Sequence, residues 1–189
     1  MQKILTLTVF CFLLMSCGIT LQAPVPTYYL LDAKPLAQKQ KVTRARIKLE
    51  KINLPDYLST NNLVMRDSGH ILIKANYHSW ADSLDDAIQR ALLNDLNNLN
   101  EQREFVGWCS DCESIRVTIQ HFYPAADGKL LLSGFFEVSL KNDETKLFRF
   151  QLSDDLSSDG YANAVKQMRE QIGTLATQIN QALWAKKGG

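Results

Sequence analysis

The 189-residue chain carries 21 Lys and Arg against 20 Asp and Glu, for a formal net charge of +1. A surface so balanced lacks the basic field that nucleic acid requires and the polybasic patch that anionic lipid headgroups require, so no nucleic-acid partner is expected. Its length suits a single domain, and 4 Cys with 3 His leave little from which to build a metal site.

The chain opens on Lys3, continues as an apolar run over residues 4–15, and reaches Ser16 and Cys17. That is the layout of a secretory signal. A bilayer-spanning helix needs about 20 apolar residues, so a run of this length exports the chain and residues 1–16 are then removed. Leu14-Met15-Ser16-Cys17 resembles the lipobox of bacterial lipoproteins, with Leu at −3 and a small residue at −1. The chemistry needs a thiol: the sulfur of Cys17 takes a diacylglyceryl group as a thioether, the chain is cut in front of it, and the new amine is acylated. These covalent acyl chains are the lipidation expected at Cys17, and no dissociable cofactor or metal is expected. Cys11 is no rival, since it lies inside the apolar run behind the large Phe10. A core cysteine in a short helix is the alternative, but neither charge nor turn chemistry supports a helix here. Gly18 stands where an Asp would resemble the inner-membrane retention signal of enteric-type bacteria, so the expected location is the periplasmic face of the outer membrane. Residues 17–26, with Pro24 and Pro26, read as an acylated tether, and residues 27–187 as one domain.

Residues 28–31 and 45–52 read as strands, the second alternating Ile47 and Leu49 with Lys48 and Glu50. Pro55 removes a ladder donor and turns the chain. Residues 63–66 and 71–74 flank Asp67-Ser68-Gly69-His70 and form a hairpin of short strands, with Gly69 supplying a positive φ. From about residue 83, Leu84, Ile88, Ala91, Leu92, Leu96 and Leu99 recur at three and four residues, an amphipathic helix with acidic residues in its first turn and Ser79 or Asp82 as cap. Residues 104–108, 114–123, 129–141 and 146–152 follow as an antiparallel meander with the long third strand central. Tyr161, Val165, Met168, Ile172, Leu175, Ile179 and Leu183 form the seam of a last long helix. Strands in two groups, each followed by a helix and without βαβ alternation, predict an α+β domain: one mostly antiparallel sheet with two long helices on one face.

Several stretches together resemble one family, the ABC-type transport auxiliary lipoproteins of PqiC type. They are Tyr28-Tyr29-Leu30 after the anchor, Leu54-Pro55-Asp56-Tyr57-Leu58, Leu63-Val64-Met65-Arg66, Trp80-Ala81-Asp82-Ser83-Leu84 opening one helix, and Gly160-Tyr161-Ala162 opening the other. The resemblance spans nearly the whole chain after the signal. It implies a non-enzymatic outer-membrane lipoprotein, auxiliary to an MCE-domain protein that bridges the periplasm, in a system that moves lipids or guards membrane integrity. It also implies a homo-oligomeric ring docked at the distal end of an MCE tunnel.

Trp108-Cys109-Ser110-Asp111-Cys112 departs from that pattern. The spacing is that of thioredoxin-like redox motifs, but such motifs place the first cysteine at a helix N-terminus, whereas this pair joins two strands beside Asp111 and Glu113. A structural disulfide between Cys109 and Cys112 is expected in an oxidising compartment, with a thiol-disulfide oxidoreductase as the alternative. A periplasmic lipid carrier with a cavity between sheet and helices is a second alternative. His78, Ser79 and Asp82 lie too close together, without a nucleophile elbow, to form a triad. Tyr57, Leu58 and Trp80 are candidate partner-binding residues, although aromatics such as Tyr57, Trp80 and Trp108 beside turns are first read as core.

Overall fold

The computed structural model describes residues 24–31, 45–141 and 144–184. In order these form β1 (Thr27–Tyr29), β2 (Ala45–Leu49), β3 (Asn62–Arg66), β4 (Leu72–Trp80), α1 (Leu84–Leu99), β5 (Arg103–Val106), β6 (Glu113–Pro124), β7 (Lys129–Ser139), β8 (Thr145–Asp155) and α2 (Tyr161–Trp184). The α+β class stands, with strands and helices at the positions that periodicity predicts.

The strands divide between two mixed sheets rather than one, ordered β1-β4-β3 and β5-β2-β6-β7-β8. β6, β7 and β8 form an antiparallel meander, with Gly128 at φ 78° in the first turn. The expected fourth member, β5, does not join it. β2 inserts between β5 and β6, parallel to both. As an interior strand β2 buries Ile47 and Leu49 completely, which an edge position would not do. β7 has partners on both sides, but β6 occupies the middle of the five strands.

In the smaller sheet the β3–β4 hairpin turns at Gly69, φ 50°, closed by Ile71 N–H to the Ser68 carbonyl at 2.8 Å and Asp67 N–H to the Ile71 carbonyl at 3.0 Å. β4 runs on to Trp80, well past the expected end at residue 74, because β1 joins it in parallel, Thr27 beside His78 and Tyr29 beside Trp80. Arg66 links the two sheets: its carbonyl accepts from Ala126 N–H at 2.8 Å.

Both helices lie on the larger sheet and on each other. Leu84, Ile88, Leu92 and Leu96 of α1 and Val165, Met168, Ile172 and Ile179 of α2 meet Ile115, Val117, Leu132 and Phe136 in one buried cluster. Each such side chain contributes about 1.5–3 kcal/mol when fully buried. The other sheet face carries charge: Arg116 pairs with Glu50 at 2.9 Å and Glu137 at 3.5 Å. Arg169 of α2 holds Asp95 of α1 through two bonds of 2.6 and 2.7 Å, a fork that fixes how the helices cross. The cap of α1 is Ser83, not Ser79 or Asp82. Ser79 remains in β4, while the Asp82 carboxylate accepts from Ser83 N–H and pairs with Arg90 at 2.6 Å, and both partners hold it below the usual carboxylate range.

Candidate functional site

β5 and β6 flank β2 in the same direction but are staggered along it: Val106 at the end of β5 and Ser114 near the start of β6 both stand beside Lys48, so residues 107–112 cross β2 without running back along it. The stagger is what lets so short a connection suffice, where parallel strands lying side by side need a far longer crossover. Here the connection is pinched by the Cys109–Cys112 disulfide, Cα atoms 5.9 Å apart, with Asp111 in the left-handed region at φ 59°. Neither sulfur sits at a helix N-terminus, so no helix dipole favours a thiolate. Breaking a loop this small removes about 2 kcal/mol. Cys109→Ser/Cys112→Ser should therefore melt about 4–8 °C below the parent by circular dichroism, with unchanged far-ultraviolet spectrum. An unchanged midpoint would show that strand pairing alone holds the loop.

Trp108 at the base of this loop is 78 % exposed, contrary to its expected place in the core. The loop is too short to fold the indole back under the sheet while its backbone bridges two strands. The candidate partner-binding residues divide the other way: Leu58 and Trp80 are 3 % and 6 % exposed and belong to the core. Tyr57 is half-buried, its ring 6.4 Å from that of Tyr123, and its hydroxyl donates to the Gln120 carbonyl at 2.6 Å. Burial, then the neighbouring Tyr123, pushes the Tyr57 hydroxyl up to about 12 from 10.0. Because the folded value is raised, this contact stabilises fully below pH 10 and is lost as pH rises through 12. Alkaline titration of Tyr57→Phe against the parent should show a shallower loss of stability over that window in the variant. Parallel curves would deny the contact any such role.

His78 does not meet a nucleophile. Its Nδ1 lies 2.9 Å from the Tyr29 hydroxyl and its ring stacks 4.0 Å from that of Tyr161, which fastens the smaller sheet to the start of α2. Burial, then Tyr161, raises the Tyr29 hydroxyl above its ordinary value. Sequence reasoning used Tyr161 as a seam residue and as part of the stretch opening the last helix, and did not foresee this aromatic lock. Among the described residues, no group of three or more His, Cys, Asp or Glu is placed to hold a metal ion. Cys17 lies outside the described residues.

The seam between sheet and helices is filled by the aliphatic cluster. At the far end of α2 it opens into a cleft of about 380 Å³ lined by Leu140, Phe148 and Leu183, with Arg103, Glu113 and Lys146 at its polar side. A second cleft of about 290 Å³ lies between Met65, Pro124, Leu156 and Tyr161, where the two sheets meet the start of α2. Both are at the small end of what a ligand site occupies.

Comparison with known proteins adds what geometry alone does not. Residues 28–180 match the family of the ABC-type transport auxiliary lipoprotein component. The chain is 29 % identical over 144 residues to the intermembrane transport lipoprotein PqiC of Escherichia coli (strain K12), covering 71 % of this chain and 73 % of that protein, and equally so to PqiC of Shigella flexneri. Among solved structures it resembles an uncharacterized protein with a TM-score of 0.76 at 23 % identity, covering 85 % of this chain and 99 % of the other. A protein from Xanthomonas campestris aligns with a TM-score of 0.65 at 11 % identity, covering 81 % of this chain and 92 % of that one. These two likenesses concern the fold alone.

Proposed function

This chain belongs to the family of ABC-type transport auxiliary lipoprotein components, and from that premise we propose that it is a non-catalytic subunit tethered to the periplasmic face of the outer membrane through acylated Cys17. Its folded domain binds an MCE-domain protein that spans the periplasm and serves a system that moves lipids between membranes. Several copies form a ring around that partner. The observation that carries the reading is the family match beginning at residue 28, immediately after a lipobox cysteine and a proline-containing tether. The curated relatives are named intermembrane transport lipoproteins, which is the context that a lipid-tethered binding domain fits. Anchoring follows from chain count: one acyl chain binds a membrane marginally, while two or more hold stably. The filled seam between sheet and helices favours a docking subunit over a lipid carrier, because the clefts that open at its margins are small.

Affinity purification from detergent-solubilised membranes tests the partner. An MCE-domain envelope protein should co-purify with the acylated chain, and native mass spectrometry should show the chain as an oligomer free of bound phospholipid. Recovery without any envelope-spanning protein would remove the docking role. A phospholipid bound one to one in the isolated domain would favour carriage instead.

A further inference from the structure

Large apolar side chains left in solvent are not spread evenly over this molecule. Among the described residues most of them belong to the smaller sheet and its flanks: Val25, Tyr28 and Leu30 around β1, and Ile71, Ile73 and Tyr77 along the hairpin. Tyr28 is 66 % exposed, Ile73 43 % and Tyr77 41 %. The register of β1 on β4, Tyr28 beside Ser79, puts Tyr28 and Tyr77 on one face, with Tyr29, His78 and Trp80 turned to the other. That second face is occupied by the aromatic lock and the core. On the first, among the described residues, Tyr28 and Tyr77 stay open to solvent.

What lies against it follows from the direction in which the chain leaves. β1 runs parallel to β4, so the backbone before Thr27 departs toward the start of β4, that is, toward Ile73 and Ile71 at the hairpin end. Pro24 and Pro26 offer no N–H to extend the ladder, and they stiffen the exit. Only residues 18–23 separate Pro24 from Cys17, a contour of at most about 25 Å. We infer that the exposed apolar strip of β1 and the β3–β4 hairpin rests on the bilayer that holds the acyl chains, so that the domain meets its membrane in one orientation. This rests on the acylation of Cys17 proposed above.

The residue types suit a lipid surface. Tyrosines have an apolar ring and a polar tip, which is the combination favoured at the headgroup level, and Ile71 and Ile73 supply the apolar contact. The opposite arrangement would place the ion-paired face of the larger sheet, with Arg116, Glu50 and Glu137, against hydrocarbon, at a heavy desolvation cost. With its anchor a short tether away, the strip is held at high effective concentration against the membrane.

The test uses the full processed, acylated chain, with single substitutions Ile73→Cys, Tyr77→Cys and Leu147→Cys carrying an environment-sensitive fluorophore. Leu147 is likewise exposed but lies on β8 of the other sheet. Each is reconstituted into vesicles of phosphatidylethanolamine and phosphatidylglycerol, floated, and titrated with aqueous iodide. On the vesicles, labels at 73 and 77 should emit to the blue of the label at 147 and be quenched several-fold less than it is. Chain that floats while all three labels stay equally quenched overturns the inference and leaves the anchor standing. Labels at 73 and 77 that are already protected before vesicles are added, in a particle of doubled or higher mass, assign the strip to a second copy and also overturn it. Chain that fails to float removes the anchor and the inference together.

Discussion

Cys17→Ser should abolish incorporation of palmitate and leave a precursor that still carries residues 1–16. Serine oxygen is a far poorer nucleophile than a thiolate and forms no thioether, so neither the diacylglyceryl transfer nor the cut that depends on it can proceed. Each buried CH₂ of an acyl chain contributes about 0.8 kcal/mol to membrane binding, so losing the chains removes far more than any surface contact of the domain could replace. The variant should disappear from the outer-membrane fraction on a density gradient. Parent protein that does not label, or a variant still cut at the same bond, would end the lipoprotein reading. Comparing the two proteins by circular dichroism separates this from misfolding, since Cys17 precedes the domain.

The second large effect lies in the fold. Gly134 on β7 sits opposite Ile119 and Phe150, at the point where β6 shifts register between Ile119 and His121. A Cβ built there would run into the Thr118 carbonyl oxygen and approach the Ile119 Cα and the Phe150 ring edge to 3.0 Å. Two of those three obstacles are backbone in a paired strand and cannot step aside. Gly134→Ala should therefore cost about 3 kcal/mol, the upper part of the usual range for overpacking. That corresponds to a fall of about 6–12 °C in melting temperature for a domain of this size. Gly173→Ala is the matched control: it lies on α2, where the added methyl meets the Asp95 carboxylate at an ordinary 3.5 Å and gains helix propensity. Equal midpoints for the two variants would mean that β6 and β7 part easily at the bulge, and the close approach would lose its structural meaning.

What the sequence determined by itself is whatever depends on neighbours along the chain. The proposal of a signal, a lipobox and a tether rests on such neighbours, read in order along residues 3–26. α2 follows from the spacing of Tyr161, Val165, Met168, Ile172, Leu175 and Ile179, because a helix turns its own side chains to one face without help from elsewhere. The turn at Gly69 needs only a residue free to take a positive φ. The family itself was legible because its short stretches keep their order.

Tertiary structure alone decided which strands meet. Alternation says that Ile47 and Leu49 point inward, but not that β2 slips between β5 and β6, nor that β1 crosses to lie along β4. Those pairings join residues far apart in sequence, and closing a longer loop costs so little extra that local signals barely discriminate between them. Exposure of aromatics depends on the same pairings. Trp80, Leu58 and Trp108 all stand at turns, yet two are covered and one is not, because cover comes from segments distant in the chain. The apolar strip was invisible for that reason: Tyr28 and Tyr77 become one surface only when β1 and β4 lie side by side.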